Sequence, residues 1–290
     1  MSAKLLIAPV IGVPVTGLLW YNSHQKNPED RVGSSFLLTT WIASGFIGPT
    51  SAGAAQFVIA WPAGKVVFGD GLDRYIMEFG RSENEVKLLP PETVAFRRDL
   101  AYSTPNLLAI VFMSTLAPLT EEVFKFAALK TVERYFPTKT KTKRNYVLIA
   151  MAVGLGFALV ENLAFIAAAT DKSTQTQLAI TIIERSLFGT SGHLLTAALT
   201  GCKFAQMQGT TSASKSMWST IKESMLYHGL GNFGLFVTTT LYGNVGFVHP
   251  PDALGMAAMF TYIIGVNACA AWRVSSELKR IDSESVRKTS

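Results

Sequence analysis

The sequence predicts an all-α fold, a polytopic transmembrane helix bundle of about seven spans, or eight if the second is split. Three observations carry this. Charged residues make up only 16% of the 290 residues, where a soluble domain carries about 25%. Hydrophobic types reach 49%, with a mean hydropathy of +0.28. The few charges are also bunched, leaving nearly uncharged runs of about 18 or more residues, and about 20 helical residues cross a bilayer core. An ordinary soluble enzyme, a disordered chain and a disulfide-stapled secreted domain are thereby excluded. The two cysteines, Cys202 and Cys269, lie in apolar stretches and read as small core hydrophobes rather than a disulfide framework.

The first apolar run spans Leu5 to Trp20 and contains Pro9 and Pro14. Lys4 ahead of it also fits a cleaved leader, but no small-x-small site follows, which favours a retained span. The second run, Phe36 to Trp61, is broken at Gly48-Pro49 and is one kinked helix or two short ones. Residues 62–99 are polar, carry charges of both signs and stop at Pro90-Pro91, so they read as the largest stretch outside the membrane. Within them Leu72 to Phe79 is expected as a short surface helix. The third span opens near Ala101 and ends at Leu129; a basic loop with Lys139, Lys141, Lys143 and Arg144 follows. Tyr146–Ala169, Leu178–Phe204, Ser224–Tyr242 and Ala253–Trp272 supply the remaining spans, and a charged tail closes the sequence. Three regions result: N-terminal spans with the mixed-charge loop (1–99), a membrane core (100–245), and the last span with its tail (246–290).

The excess of 26 Lys and Arg over 20 Asp and Glu, a net charge of +6, has a membrane explanation. The 130–145 loop, the stretch from Lys203 to Lys222 and the tail from Arg273 are net basic and alternate with weakly charged connections. The positive-inside rule then puts these segments in the cytoplasm, with the N-terminus outside and the C-terminus inside. No single basic stripe is formed, so nucleic acid is not an expected partner.

Ionisable groups inside spans are costly and therefore informative. Glu121, Glu122 and Lys125 sit in the third span, Glu161-Asn162 in the fourth, Glu184-Arg185 and His193 in the fifth, and His228 and Asn232 in the sixth. Lys125 is within helical reach of both Glu121 and Glu122, and His228 shares a face with Asn232. A rise of about 1.5 Å per residue places His228 roughly 9 Å, Glu121 roughly 12 Å, His193 roughly 16 Å and Glu161 roughly 22 Å from the inner surface. Each group has a structural reading too. The third-span cluster can snorkel, Glu161 can pair with Arg185 or Lys125, and Glu184-Arg185 can form an ion pair. Each histidine can simply pack, and the asparagines can bridge helices. One shared polar cavity accounts for costly groups on four helices more economically.

In order, the motifs are Glu121-Glu122-x-x-Lys125, Phe157-x-x-x-Glu161-Asn162, Arg185 followed by Gly192-His193, and His228-x-x-x-Asn232. With these the sequence resembles the PrsW family of intramembrane proteases, related to the CPBP/Abi group of CAAX proteases, over roughly residues 100–240. The resemblance implies a membrane-embedded endopeptidase acting on a membrane-anchored protein or peptide within the bilayer. It implies Glu121, Glu122, His193 and His228 as catalytic groups, supported by Lys125, Glu161, Asn162, Arg185 and Asn232.

Peptide hydrolysis needs an activated water and donors for the developing oxyanion. Glu121 is the expected base on a water that Glu122 helps to position. His228 and Asn232 are expected as oxyanion donors, and His193 to orient water or protonate the leaving amine. A metal version places zinc between His193, His228 and a glutamate, Glu161, with another glutamate as base, although no His-Glu-x-x-His helix is present. Two other classes stay open: a cyclase or isomerase acting on a lipid or prenyl substrate, and a transporter or receptor with a polar core.

Overall fold

The computed structural model describes residues 7–135, 141–170, 174–208 and 216–289. Lys4, Leu5 and Lys139 lie outside them. Every regular element among the described residues is helical. The order is α1 (Ile7–Ser23), α2 (Ser34–Phe68), α3 (Leu72–Phe79), α4 (Glu83–Lys87), α5 (Pro91–Ala101), α6 (Thr104–Arg134) and α7 (Lys143–Thr170). Then come α8 (Gln175–Glu184), a π-helical turn (Arg185–Gly189), α9 (Thr190–Met207), α10 (Met217–Leu241) and α11 (Ala253–Thr289).

Four helical stretches among the described residues are long and apolar enough to cross a membrane: Pro28–Phe79, which contains α2, then α6, α7, and α11 as far as Glu284. The seven-span expectation is thus met by four. The other three runs are helical but weaker candidates for physical reasons. Helix α1 has 17 residues, α8 and α9 are interrupted by the π turn with Glu184 and Arg185, and α10 carries Lys222, Glu223, His228 and Asn232.

Three further readings gain detail, and the core placement of Cys269 is corrected. Helix α2 runs unbroken for 35 residues through Pro49 and Pro62. The 62–99 stretch is mostly helical, with α3 where expected and α4 started by a Ser82–Glu85 capping box. The charged tail continues α11, and Cys269 is exposed while Cys202 is buried.

Helix α7 lies at the centre, buried along nearly all of Tyr146–Ala158. Apolar burial does not drive helix association in lipid, so close backbone approach through small residues matters more. A Cβ on Gly154 would lie 2.7 Å from the His193 carbonyl oxygen, and one on Gly45 of α2 would lie 2.8 Å from the Gly156 carbonyl oxygen. Helix α10 closes on α6 in the same way, since a Cβ on Gly229 would lie 2.8 Å from the Ser114 carbonyl oxygen. Between α9 and α10, Thr200 and Ser224 share a 2.8 Å hydrogen bond, and Ser224 Oγ donates to the Thr196 carbonyl oxygen at 2.9 Å. These approaches bring the polar groups of α6, α7, α9 and α10 to one level.

Ion pairs tie both ends of the bundle. At the basic end, Arg144 meets Asp282 at 2.7 Å, Lys203 meets Glu277 at 2.8 Å and Arg273 meets Glu223 at 2.9 Å. At the other end, buried Arg97 donates to Glu78 Oε2 at 2.9 Å and to the Val245 carbonyl oxygen at 3.0 Å. There too, His249 of the α10–α11 loop is clamped between Glu83 of α4, at Nδ1, and Glu184 of α8, 2.9 Å from Nε2. Burial alone lowers the His249 pKa. The hydrogen bonds to Glu184 and Glu83 outweigh it and raise the value from 6.5 to about 10.

Replacing Gly154 by Ala forces a Cβ against the α9 backbone and is expected to cost about 1–3 kcal/mol. The Gly53→Ala change, with nothing within 4 Å, should leave detergent-phase melting unchanged or slightly raised. The His249 clamp stabilises the protonated ring. Its contribution is complete below about pH 6.5 and lost as the pH rises through about 10. Wild-type melting temperature should therefore fall across that window by more than that of His249→Gln; equal slopes would refute the clamp.

Candidate metal centre

Helix α6 delivers Glu121, Glu122 and Lys125 from adjoining turns. Glu122 is completely buried; Lys125 Nζ donates to its Oε1 at 2.7 Å, and His228 Nδ1 of α10 lies 3.1 Å from the same oxygen. The opposite ring nitrogen, His228 Nε2, is 3.6 Å from Glu121 Oε2. From α9, the His193 ring meets that of His228 edge-on, with centroids 5.1 Å apart. Phe157 stacks on the His193 ring.

Glu161 of α7 is held by Arg185, which donates to its Oε1. Its Oε2 lies 3.0 Å from His193 Nε2, off the line of a hydrogen bond. Arg185 Nε also donates to Asn162 Oδ1 at 3.1 Å, while Asn162 Nδ2 donates to the Arg185 carbonyl oxygen and to Thr190 Oγ1, each at 2.9 Å. The π turn makes this possible. It widens the backbone at Arg185–Gly189, where the Arg185 carbonyl accepts the Thr190 N–H and also takes the Asn162 amide; such turns recur at functional sites in helices.

One ligand atom from each of Glu121, His193 and His228 falls within 4.8 Å of the others. Two imidazoles and a carboxylate make a donor set of the kind that holds catalytic zinc with an open position. The Glu122–His228 contact adds the carboxylate behind a histidine that orients such ligands. Glu121 Oε2 and His193 Nδ1 are buried without hydrogen-bond partners, an expensive condition for ligand-type atoms unless a cation satisfies them. The residues therefore fit a metal ion. The trio contains Glu121, whereas the sequence reading had grouped Glu161 with the two histidines.

The description "PrsW family intramembrane metalloprotease" belongs to a family model that matches residues 91–280. This chain belongs to that family. No curated protein and no solved structure matches it. PrsW proteins are intramembrane proteases, so the chain is an integral membrane hydrolase of a metalloprotease family, with a bilayer and a protein substrate as its general partners. The match gives no support to a cyclase, isomerase, transporter or receptor.

In this PrsW chain a cavity of about 80 Å³ adjoins the trio, lined by Glu161, Arg185, His193, His228, Asn232 and Asn267 among others. Of the site residues expected from the sequence, Glu161, Arg185, His193, His228 and Asn232 line the cavity. Glu121 and Glu122 do not line it but contact His228, which does. Asn162 contacts Arg185, and Lys125 contacts Glu122. Glu184 departs from its sequence neighbour Arg185 and pairs with His249 instead.

Two polar residues were not anticipated. Asn267 of α11 donates to Ser191 Oγ at 3.0 Å. Gln56 of α2 donates to Thr120 Oγ1 at 3.0 Å and reaches Glu121 Oε1 at 3.5 Å. A single amide in an apolar run was the available signal for both.

Removing Lys125 leaves Glu122 charged, buried and short of its nearest cation. Lys125→Met is expected to destabilise the protein by about 3–5 kcal/mol, and Glu122→Gln in the same chain should restore much of that. Thermal melting of the two single variants and the double variant in detergent measures the coupling. Additive losses would show that the pair is not an energetic unit.

Proposed function

We propose that this chain hydrolyses a peptide bond of a membrane-anchored protein within the bilayer, at a zinc centre held by Glu121, His193 and His228. The convergence of those three ligand atoms within 4.8 Å, in a chain of a metalloprotease family, carries the reading. When bound, such an ion supplies Lewis acidity toward a carbonyl and toward water.

The remaining roles follow from what each side chain touches. Glu161 and Glu184 both line the cavity, but Glu184 is engaged by His249, so Glu161 serves as general base for the attacking water. Arg185 fixes its orientation through Oε1 and leaves Oε2 to accept the proton. Asn162 holds Arg185 in turn. Asn232 offers amide donors to the developing oxyanion from the cavity wall. Glu122 fixes the His228 ring through Nδ1, with Lys125 balancing its charge.

This reading moves the base from Glu121 to Glu161, because Glu121 is occupied as a ligand. Residues 100–245 form the catalytic core, and the basic end of the bundle faces the cytoplasm, with the N-terminus on the opposite side.

Glu121→Gln and Glu161→Gln separate the roles. Glu161→Gln should retain metal by elemental analysis and lose about 10²–10⁴-fold in kcat on a membrane peptide. Glu121→Gln should lose both metal and cleavage while remaining folded. Full activity in Glu121→Gln, or undiminished cleavage after chelation and metal analysis at background, would overturn the proposal.

A further inference from the structure

We propose that Gln56 of α2 is a positioning residue for Glu121, holding one carboxylate oxygen so that the other is the one presented to His193 and His228. This rests on the metal reading above and extends it to a helix that precedes the family-matched segment. Gln56 is the only amide side chain in the 35 residues of α2. Its neighbours Phe57, Val58 and Ile59 are exposed on the apolar surface of the helix. An amide in such a run is costly unless it is hydrogen-bonded, and its partners lie on α6.

The geometry is directional. Thr120 donates its only hydroxyl proton back into its own helix, to the Leu116 and Ala117 carbonyl oxygens at 2.9 Å each. Its oxygen is thus left as an acceptor, and Gln56 Nε2 donates to it at 3.0 Å. That anchor brings the Gln56 amide nitrogen to Glu121 Oε1, at a long 3.5 Å; hydrogen bonds in resting sites are commonly long and tighten in the working complex. Glu121 Oε2 stays unpartnered and faces His228 Nε2 across 3.6 Å. The two oxygens are therefore differentiated, one committed to α2 and one turned toward the histidines. Outer-shell hydrogen bonds of this kind orient a ligating carboxylate, and their loss weakens metal binding by about 10–100-fold.

The test uses the full chain in detergent, with zinc titrated against a competing chelator and cleavage followed on a membrane peptide. Gln56→Leu removes the donor, keeps similar bulk and suits an apolar surface. Metal-free Gln56→Leu should melt as the wild type does, bind zinc about 10–100-fold more weakly, and lose kcat by at least tenfold with KM unchanged. Thr120→Val removes the anchor from the α6 side and carries the same expectation, so it decides the matter if the Leu variant fails to accumulate. Wild-type zinc affinity and wild-type kcat in a folded variant overturn the proposal. A wild-type protein that cleaves yet binds no zinc overturns the metal reading instead. The Gln56 assignment then stands on the kcat loss at constant KM, and falls if kcat is unchanged. A protein that neither cleaves nor binds zinc overturns both.

Discussion

Glu122 is a carboxylate with no access to water, placed in the middle of an apolar helix bundle. An isolated charge there would be prohibitively unfavourable. It is held by an ammonium at 2.7 Å from its own helix and an imidazole at 3.1 Å from another. The requirement to keep those three groups together fixes the rotation of α6 and the depth of α10. It also fixes the His228 ring, whose far nitrogen is turned toward Glu121. The His193 ring packs against the same imidazole, so α9 inherits its register from this arrangement. What looks like a charge defect in the apolar interior is the point from which the site is aligned.

Backbone proximity makes such alignment possible. Glycines at 154, 45 and 229 let α7, α2, α6, α9 and α10 approach so closely that a methyl group would collide at each contact. The π turn at Arg185–Gly189 adds what regular helices cannot. It changes the hydrogen-bonding register of one backbone stretch, so that Asn162 can bind a carbonyl and Arg185 can reach Glu161. Rigid packing and one local irregularity together place polar groups of α7, α8, α9, α10 and α11 around a cavity of about 80 Å³.

The site was legible in the sequence to the extent that charge in an apolar run is conspicuous. Glu121, Glu122, Lys125, Glu161, Asn162, Arg185, His193, His228 and Asn232 all stood out for that reason, and helical spacing correctly paired Glu122 with Lys125. Partners across helices were less visible. Glu184 adjoins Arg185 in sequence, yet adjacent residues on a helix point in different directions, and its partner is His249, 65 positions away. Gln56 has no polar neighbour at helical spacing that would mark it, because its partners belong to α6. The helical character of 62–99 was hidden by its polarity. Short capped helices and the buried Arg97–Glu78 pair stabilise it without a long apolar face. In α11, the ion pairs to Lys203 and Arg144 extend the helix beyond the apolar segment that composition marks out.

The contact between α2 and α7 bears on how the chain can be divided. Gly45 and Gly156 meet backbone to backbone, and Ser44 Oγ donates to the Val153 carbonyl oxygen at 3.3 Å. Both α2 residues precede the segment from 91 to 280 that the family model recognises. A polypeptide cut to that segment would leave the flank of its central helix stripped of the neighbour that fits it, and a polar carbonyl-to-hydroxyl contact broken inside the membrane. The α2 helix that precedes the recognisable stretch thus packs as a built-in companion to its central helix.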